Sequence, residues 1–404
     1  MNWEIIEHKV KNAIDLTEAD AQWLLERRDA RGLERLYGLA DEVNNRLNGR
    51  VVSFVHNMNI NYTNICEYHC TFCEFKKSPA AREAYILTFD DVKAKVDQAE
   101  GPLSEITFQG GLSPEVKFEE VLTLLKQMRA AYPAVHFHAF SPEEIDYYAE
   151  ETGASYEEVI GRAKAVGMDS MCGTAAEILD DEVRKKICSE KVTSDEWCEI
   201  VRTGHGLGLP STATILFGHL EQPKHVVHHF KRLRDLQRET GMITEFIPLL
   251  FMPDKTKLGR AIDPNMNRIE YAFRMLAVSR LYFMNDIRNI QTSWVKLGWD
   301  NALASLAVGA NDMSGTLYSE NITREAGGQN GEYMPREKFI SDIERVGKIP
   351  VERDTVYSFQ QEKSTECRKQ KSEDRGQKTE VSGQMTENRS QRSNDREQKS
   401  EDRS

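Results

Sequence analysis

Three cysteines crowded into eight residues have the clearest chemical potential in this sequence. They are Cys66, Cys70 and Cys73, spaced C-x₃-C-x₂-C directly after a strand-like segment. Three thiolates on one tight loop can hold three irons of a [4Fe–4S] cluster and leave the fourth iron open. An open iron can chelate the amino and carboxylate groups of S-adenosylmethionine (SAM), and an electron passed into SAM then yields a 5′-deoxyadenosyl radical. The motif therefore predicts a [4Fe–4S] cluster and SAM as cofactors, with Phe72 as the aromatic residue before the last cysteine.

Two other metal sites compete with this interpretation. A zinc knuckle would use the three cysteines with His69 as fourth ligand, but His69 directly precedes Cys70, which makes shared tetrahedral ligation awkward. A ferredoxin would need a fourth cysteine in a matching motif. The other four cysteines are scattered through the chain: Cys172, Cys188, Cys198 and Cys367.

Several residues downstream are predicted to bind SAM. Gln109, Gly110 and Gly111 end a strand-like segment, where glycine lets the backbone approach a ligand such as the SAM amino group, or simply makes a turn. Glu177 is predicted either to bind ribose or to cap the helix that begins near Asp180. Gly218 ends a fifth strand-like segment that would give an apolar shelf for adenine.

Apolar runs and amphipathic stretches alternate from Val51 onward. Eight strand-like segments, each followed by a helix or loop, predict an α/β fold of the (β/α)₈ TIM-barrel type, with an open doubly wound sheet as the alternative. Polar residues and glycines at strand ends predict a site on the carboxyl-terminal face of the barrel. The predicted divisions are an N-terminal helical extension (1–48), the barrel (49–320), a capping segment (321–359) and a disordered polar tail (360–404).

Composition narrows the class of protein. The formal net charge is −12, and an acidic body argues against nucleic acid as a partner. No apolar stretch of about 18 residues occurs, so we expect no membrane span. The N-terminus lacks a signal-peptide core, which together with the unpaired cysteines predicts a cytoplasmic protein.

The histidines were assigned by their spacing. His136 and His138 alternate along one strand and share a face, so each is either a core residue or a substrate contact. His225, His228 and His229 lie on a charged helical stretch and are predicted to be surface residues.

Beyond these local patterns, the sequence resembles the radical SAM enzymes of deazaflavin and futalosine-pathway menaquinone biosynthesis. The similarity runs from about residue 45 to residue 357. It rests on these segments: Asn59-Ile-Asn-Tyr-Thr-Asn-Ile-Cys66, Cys70-x-Phe-Cys73, Gln109-Gly-Gly-Leu, His138-Ala-Phe-Ser-Pro142, Ala176-Glu-Ile-Leu179, Thr212-Ala-Thr, Ser293-Trp-Val-Lys-Leu-Gly298 and Gly309-Ala-Asn-Asp312. The stretch Gly173-Thr-Ala-Ala-Glu-Ile-Leu is most similar to the tyrosine-using CofH branch. Cys172 and Glu74 depart from the family pattern, which has proline and alanine there.

The resemblance implies a transferase that joins L-tyrosine to 5-amino-6-(D-ribitylamino)uracil in the biosynthesis of the deazaflavin FO, the precursor of coenzyme F420. The tyrosine Cα–Cβ bond would break, releasing 2-iminoacetate, and the 4-hydroxybenzyl group would add to C5 of the uracil. A CofG-type radical SAM subunit and an electron donor are the implied partners. Residues expected to contact substrate are His138, Ser141, Thr174, Gln291, Asn311 and Asp312, with an aromatic slot from Phe140, Phe217 or Trp294. The alternatives are an aminodeoxyfutalosine synthase, a dehypoxanthine futalosine cyclase and a non-enzymatic zinc-binding module.

Overall fold

Strands and helices alternate along the chain in a computed structural model that describes residues 1–360. The strands are β1 (Val51–Val55), β2 (Asn57–Asn61), β3 (Glu105–Gln109), β4 (His136–Ala139), β5 (Ser170–Met171), β6 (Ser211–Phe217), β7 (Ile243–Leu250), β8 (Asn289–Ile290), β9 (Asp312–Gly315) and β10 (Ile349–Arg353). The helices are α1 (Trp3–Lys11), α2 (Glu18–Leu25), α3 (Ala30–Asn48), α4 (Phe89–Val96), α5 (Phe118–Ala131), α6 (Pro142–Thr152), α7 (Tyr156–Val166), α8 (Asp181–Ile187), α9 (Ser194–Gly206), α10 (Pro223–Thr240), α11 (Arg268–Tyr282), α12 (Trp294–Leu297), α13 (Trp299–Ser305), α14 (Ile322–Glu325) and α15 (Arg336–Arg345).

Eight parallel strands surround the core. Strands β2 to β8 pair in chain order in one parallel sheet. The two edges of this sheet both meet the β9 segment, through the bridges Gln291–Asp312 and Met58–Tyr318. Since the sheet curls round until its edges share one strand, the (β/α)₈ barrel prediction is confirmed. Every residue of β6, Ser-Thr-Ala-Thr-Ile-Leu-Phe, is buried, as expected for a parallel strand covered on both faces.

The C-terminal part of the described chain adds a strand that was not predicted. β10 pairs with β1 in parallel, and β1 also pairs with β9. The sequence of β10 is Ile-Pro-Val-Glu-Arg, in which two residues are exposed and two are half-exposed. It contains a proline and lacks the apolar run that marks the other strands. Its last residue, Arg353, is nevertheless buried.

Amphipathic patterns in the sequence predict one helix over residues 142–165 and another over residues 180–206, and the structure divides each of them in two. The expected helix 142–165 breaks at Gly153, which adopts a left-handed backbone with φ 67°, and α7 restarts with a capping box at Ser155. The expected helix 180–206 ends at Cys188 and restarts at Thr193 with another capping box. In both places a local capping box starts a new helix, although the amphipathic pattern continues through the break. The predicted N-cap at Thr17 is present as a capping box with Asp20.

The division of the chain into four segments remains a prediction. Residues 1–356 form one compact unit, and a second unit begins at Tyr357, of which only residues 357–360 are described. The predicted disordered tail (360–404) lies outside the described residues except for Gln360. Among the helices of residues 1–360, none is long and apolar enough to span a membrane.

The charged-helix histidines are mostly buried. His225 and His229 are only 3% and 0% exposed, so the prediction that they lie on the surface was wrong for both. Only His228 keeps its side chain about half exposed. The Nδ1 atom of His229 accepts a hydrogen bond of 2.9 Å from the Leu179 amide, which requires a neutral ring.

We expect stability to fall as the pH drops from 6.5 to 4. Burial lowers the pKa of His138 and His205 to about 4 and that of His229 to about 3. The unfolded chain therefore binds protons first, and each histidine contributes up to about 3 kcal/mol that is present at pH 7 and lost on the way to pH 4. Urea unfolding across this range checks the slope.

A matched pair of variants assigns that slope. The His205→Gln variant should have a shallower loss of unfolding free energy toward acid, because its ring is buried between the hydroxyls of Thr240 and Ser211. The His8→Gln variant, changed at an exposed position of α1, should keep the wild-type slope. Equal slopes in all three proteins would contradict the assignment.

Candidate active site

A cavity of about 400 Å³ opens at the carboxyl ends of the barrel strands. Its wall includes all three motif cysteines. It also includes eight more residues predicted from sequence to bind cofactor or substrate: Phe72, Gln109, Gly110, Gly111, Ser141, Thr174, Glu177 and Gln291. Strand-end residues far apart in the sequence therefore share one chamber with the cysteine loop.

The cysteine loop follows β2 and is fastened to neighbouring segments by its backbone. The Glu67 amide donates to the Leu112 carbonyl at 2.8 Å, and the Thr71 amide donates to the Ile187 carbonyl at 2.9 Å. The Cys73 amide donates to the Cys70 carbonyl at 3.2 Å, closing a tight turn between the last two cysteines. The loop is thus held from several sides before any metal binds.

The three thiols suit a cluster better than a single ion. Burial raises the pKa of Cys70 and of Cys73, so their thiolates need a metal to balance the charge. Within residues 1–360 the three sulfurs do not all lie within 4.8 Å of one another, the spacing that ligands of a single ion adopt. The proposed zinc ligand His69 is 74% exposed and faces Glu190 at 3.1 Å. The residues present fit a [4Fe–4S] cluster with one open iron.

Within residues 1–360, one group of side chains does have the close spacing of single-ion ligands: Asp180, Glu182 and His225. Nδ1 of His225 accepts a hydrogen bond from the Gln222 amide at 3.0 Å. The proton of the neutral ring is then on Nε2, the nitrogen that faces Glu182, so this histidine has no lone pair for a metal there.

The Gln109-Gly110-Gly111 segment lies against the cysteine loop. A Cβ on Gly111 would lie 2.2 Å from the Ile65 carbonyl oxygen and 3.1 Å from Cys66 Cβ. A Cβ on Gly110 would lie 2.2 Å from the Tyr62 ring. Both glycines are therefore required by packing, and their contact with the SAM amino group stays a prediction.

The Glu144 carboxylate holds this glycine segment through a hydrogen bond. Its Oε1 accepts from the Gly110 amide at 3.0 Å and from the Tyr62 hydroxyl at 2.7 Å. Its Oε2 accepts from the Ser141 amide and hydroxyl at 2.7 and 2.8 Å. Ser141 is thereby the N-cap of α6 as well as part of the cavity wall. The signal Ser141-Pro-Glu-Glu144 marks a capping box, and sequence reasoning did not use it.

A buried ion pair lies beside the cluster motif. Lys191 and Glu177 meet at 2.9 Å, and each side chain is only 13% exposed. Burial opposes the charge of Lys191, but Glu177 and the other acidic groups around it hold its pKa well above the ordinary value. The ammonium also lies 5.8 Å from the centre of the Phe72 ring. Ribose binding by Glu177 stays a prediction, since this carboxylate already has a cationic partner.

Glu143 is a buried acid that sequence reasoning missed. Its Oε1 accepts from the Val192 amide at 3.3 Å, while its Oε2 has no hydrogen-bond partner in the described part of the chain. Burial raises its pKa to about 7, although Lys191 and Arg184 oppose the shift. The carboxyl group is therefore available to a ligand in the cavity.

The predicted substrate residues divide into two groups. Thr174 accepts a hydrogen bond of 2.5 Å from Gln109, and Gln291 donates to Glu245 at 3.0 Å; both line the cavity. Three other predicted substrate residues do not line it, and neither does Gly218, which was predicted to lie at the adenine shelf; the three are His138, Asn311 and Asp312.

Each of these four has other partners. His138 is buried between Ser170 and Thr212. Asn311 accepts from Arg280 at 2.6 Å, and Asp312 accepts from Arg353 at 2.6 Å. Gly218 donates its amide to Glu221 at 2.6 Å. Their roles in ligand binding remain predictions, and the hydrogen bonds seen in the structure do not support those roles.

The aromatic residues predicted to form a slot for the tyrosine ring belong to the hydrophobic core instead. Phe140, Phe217 and Trp294 are at most 1% exposed and do not line the cavity. Aliphatic and other apolar side chains cover that part of its wall: Leu216, Ile247, Leu249, Phe251, Met252, Val295, Leu317 and Ile322. Of the two departures from the family pattern, Cys172 is buried outside the cavity, whereas Glu74 lines it.

Strained backbone gathers around the cavity. Four non-glycine residues that line it have positive φ: Ala175, Glu177, Ser314 and Leu317, at 60°, 46°, 66° and 53°. Such conformations cost about 1–3 kcal/mol each and persist where the surrounding structure imposes them. The strained backbone conformations therefore lie in the segments that form the cavity wall.

Arg353 of β10 forms a buried ion network with Asp312 and Glu245, and Glu245 also holds the cavity residue Gln291. Its guanidinium lies 2.6 Å from Asp312 and 3.2 Å from Glu245, with all three side chains at most 4% exposed. We expect Arg353→Met to lose about 3–5 kcal/mol of unfolding free energy, because buried carboxylates lose their cation. Urea unfolding measures the loss.

The same ion network predicts a graded result. Arg353→Lys should retain part of the stability, because the charge remains while the guanidinium fork is lost. Arg336→Met, which removes an exposed partner of Glu352, should change stability by less than about 1 kcal/mol. A loss for Arg353→Met no larger than this control would contradict the role of the network.

Comparisons with known proteins agree with this geometry. Residues 60–233 match the family model of the radical SAM superfamily, and residues 239–366 match that of the CofH/MqnC C-terminal region. The fold is shared with methylornithine synthase PylB (TM-score 0.66, 19% identity, 86% of this chain and 97% of that one). It is also shared with the [FeFe]-hydrogenase maturase HydG (TM-score 0.68, 15% identity, 88% and 77%). A barrel with this cysteine loop defines a radical SAM enzyme.

Curated relatives narrow the class further. The chain is 42% identical over 323 residues to the 5-amino-6-(D-ribitylamino)uracil–L-tyrosine 4-hydroxyphenyl transferase of Archaeoglobus fulgidus, covering 80% of this chain and 92% of the relative. It is 42% identical over 321 residues to the transferase of that name from Methanopyrus kandleri, covering 79% and 87%. The chain belongs to the family of these transferases, as the sequence resemblance predicted.

Proposed function

We propose that this protein cleaves the Cα–Cβ bond of L-tyrosine and joins the 4-hydroxybenzyl group to C5 of 5-amino-6-(D-ribitylamino)uracil. The products are 5-amino-5-(4-hydroxybenzyl)-6-(D-ribitylimino)-5,6-dihydrouracil, 2-iminoacetate, methionine and 5′-deoxyadenosine. The observation that carries this proposal is the shared name of the relatives that match most of the chain. The cavity beside the cysteine loop is consistent with it.

The chain's own residues would divide the work. Cys66, Cys70 and Cys73 would hold the cluster, which with SAM supplies a 5′-deoxyadenosyl radical when bound. Gln109, Gly110 and Gly111 would face the SAM amino group, with Glu144 holding the Gly110 amide in place. The Glu177–Lys191 pair and Phe72 would form the neighbouring wall.

The rest of the cavity offers both kinds of contact that the substrates need. The apolar wall residues Ile247, Leu249 and Val295 suit an aromatic ring. Thr174, Ser141 and Gln291 present polar groups that suit a ribityl chain or a uracil edge. A chamber lined in this way also limits the access of water to a reactive radical.

Three further assignments belong to this proposal. The product would pass to a CofG-type radical SAM subunit that closes the deazaflavin ring. A low-potential electron donor would reduce the cluster, because radical formation from SAM consumes one electron. The unpaired thiols and the oxygen-sensitive cofactor argue for a cytoplasmic location.

Anaerobic turnover tests the proposal. Reconstituted protein is incubated with SAM, dithionite, L-tyrosine and the ribitylaminouracil, and the products are identified by mass. Tyrosine-dependent 5′-deoxyadenosine together with the dihydrouracil adduct supports the assignment. Absence of both, or turnover with futalosine-type substrates instead, would overturn it in favour of the menaquinone branch.

A further inference from the structure

Lys296 is a cation in the cavity wall that forms no ion pair with any other group among residues 1–360. It lies on α12, directly after β8, and it is one of three lysines that line the cavity, with Lys76 and Lys191. Lys76 donates to the Tyr68 carbonyl at 2.7 Å, and Lys191 is paired with Glu177. In residues 1–360 the Lys296 ammonium has neither a hydrogen bond nor an ion pair within 4 Å.

The surroundings of Lys296 make an anionic ligand favourable. The Lys296 residue is partly buried, and it lines the cavity. Burial lowers the pKa of Lys296, and the more distant Glu320 and Glu177 only partly oppose this. A ligand carboxylate beside the ammonium would supply the missing counter-charge. The hydroxyl-bearing residues Ser293 and Ser314 line the same cavity and provide further donors.

We infer that Lys296 binds the α-carboxylate of the amino-acid substrate and so positions that substrate in the cavity. This inference rests on the proposed function, under which the amino acid is L-tyrosine. The second substrate, a ribitylaminouracil, has no carboxylate. The carboxylate of SAM is expected to chelate the open iron of the cluster, so it does not need this lysine.

The position of Lys296 also fits an orienting role. It lies in the segment Ser293–Leu297, and two residues before that segment the Gln291 side chain donates a hydrogen bond to Glu245 at 3.0 Å. The residue before it, Val295, belongs to the apolar wall that suits an aromatic ring. A cation and an apolar surface on adjacent residues match the two ends of an aromatic amino acid.

Binding and kinetics of substituted proteins test this inference. Cluster-loaded wild type, Lys296→Met and Lys296→Arg are compared for KM and kcat with L-tyrosine, and for equilibrium binding of L-tyrosine and of SAM. We expect Lys296→Met to raise the KM and Kd for tyrosine about 10- to 100-fold, the effect of losing a charged hydrogen bond. Lys296→Arg should recover most of the affinity, and SAM binding should be unchanged in both.

Tyramine, which is tyrosine without the carboxylate, supplies a second readout. Wild type should bind tyrosine much more tightly than tyramine, and Lys296→Met should lose this preference. Lys126→Met, changed at an exposed position of α5, is the control for removing a lysine. The comparison of tyrosine with tyramine uses wild type, so it tests carboxylate recognition even if Lys296→Met fails to load its cluster. In that case Lys296→Arg tests the lysine.

The outcomes separate this inference from the proposed function. Unchanged tyrosine affinity in Lys296→Met, or a weakened SAM affinity in its place, would overturn the role of Lys296 while tyrosine turnover by wild type continued. Equal binding of tyrosine and tyramine by wild type would also overturn it. Wild-type protein that never consumes tyrosine would instead overturn the proposed function.

Discussion

We expect the Cys70→Ala variant to form no 5′-deoxyadenosine from SAM above background. Cys70 lies in the tight turn that ends at Cys73, and its loss would leave two thiolates for three irons. The variant should also lack the brown charge-transfer absorbance and most of the iron of the reconstituted protein. Cys66→Ala and Cys73→Ala should give the same result, because each thiolate holds a different iron.

The control for these variants is another buried cysteine. Cys198 lies on α9 and is 8% exposed, away from the cavity wall, so Cys198→Ala should keep its iron and its activity. Iron, zinc, acid-labile sulfide and deoxyadenosine are measured on wild type and on all four variants. Full radical formation by any of the three motif variants would refute the cluster assignment, and zinc in place of iron in wild type would revive the knuckle.

Gly111→Ala should damage both stability and cluster loading. The added Cβ would lie 2.2 Å from the Ile65 carbonyl oxygen, a contact that no side-chain rotation can relieve, so the backbone must shift. Overpacking of this kind costs about 1–3 kcal/mol or more. The segment that contains Ile65 also carries Cys66, so its displacement should cause a large loss of cluster iron in addition to a lower urea midpoint.

Gly161→Ala is the matched control. Gly161 lies in α7, and a Cβ there would meet nothing within 4 Å. Alanine should stabilise that helix by roughly 0.5–1 kcal/mol and leave cluster content unchanged. If Gly111→Ala loaded iron like Gly161→Ala, the close packing of the glycine segment against the cysteine loop would not control the cluster.

The candidate site was predictable only where it depends on neighbours in sequence. The cysteines lie within eight residues, so their spacing alone indicated the cluster. Lys191 escaped prediction because it lies in the short connection between α8 and α9, which was expected to be helical. The capping signal Thr193-x-x-Glu196 was present in the sequence and would have revealed that break.

Strand-end polar residues show where prediction from sequence stops. Thr174 and Gln291 line the cavity, whereas Asn311 accepts a hydrogen bond from Arg280 of α11 and Asp312 accepts one from Arg353 of β10. Thr174 and Gln291 follow strands, whereas Asn311 precedes β9 and Asp312 begins it, yet all four looked equivalent as candidates from sequence. Arg353 comes from β10, a strand whose polar sequence carried no clear signal, so the partner that occupies Asp312 could not be foreseen.

By itself, the sequence determined the cluster motif, the alternation of strands and helices, and membership of the family. These properties follow from local spacing, hydrophobic periodicity and similarity along the chain. Only the tertiary structure decided which polar groups line the cavity and which are neutralised by distant partners. It also decided that Lys296 has no such partner in the part of the chain that the structure describes. The physical reason is that burial and charge pairing depend on residues far apart in sequence, which meet only when the barrel closes.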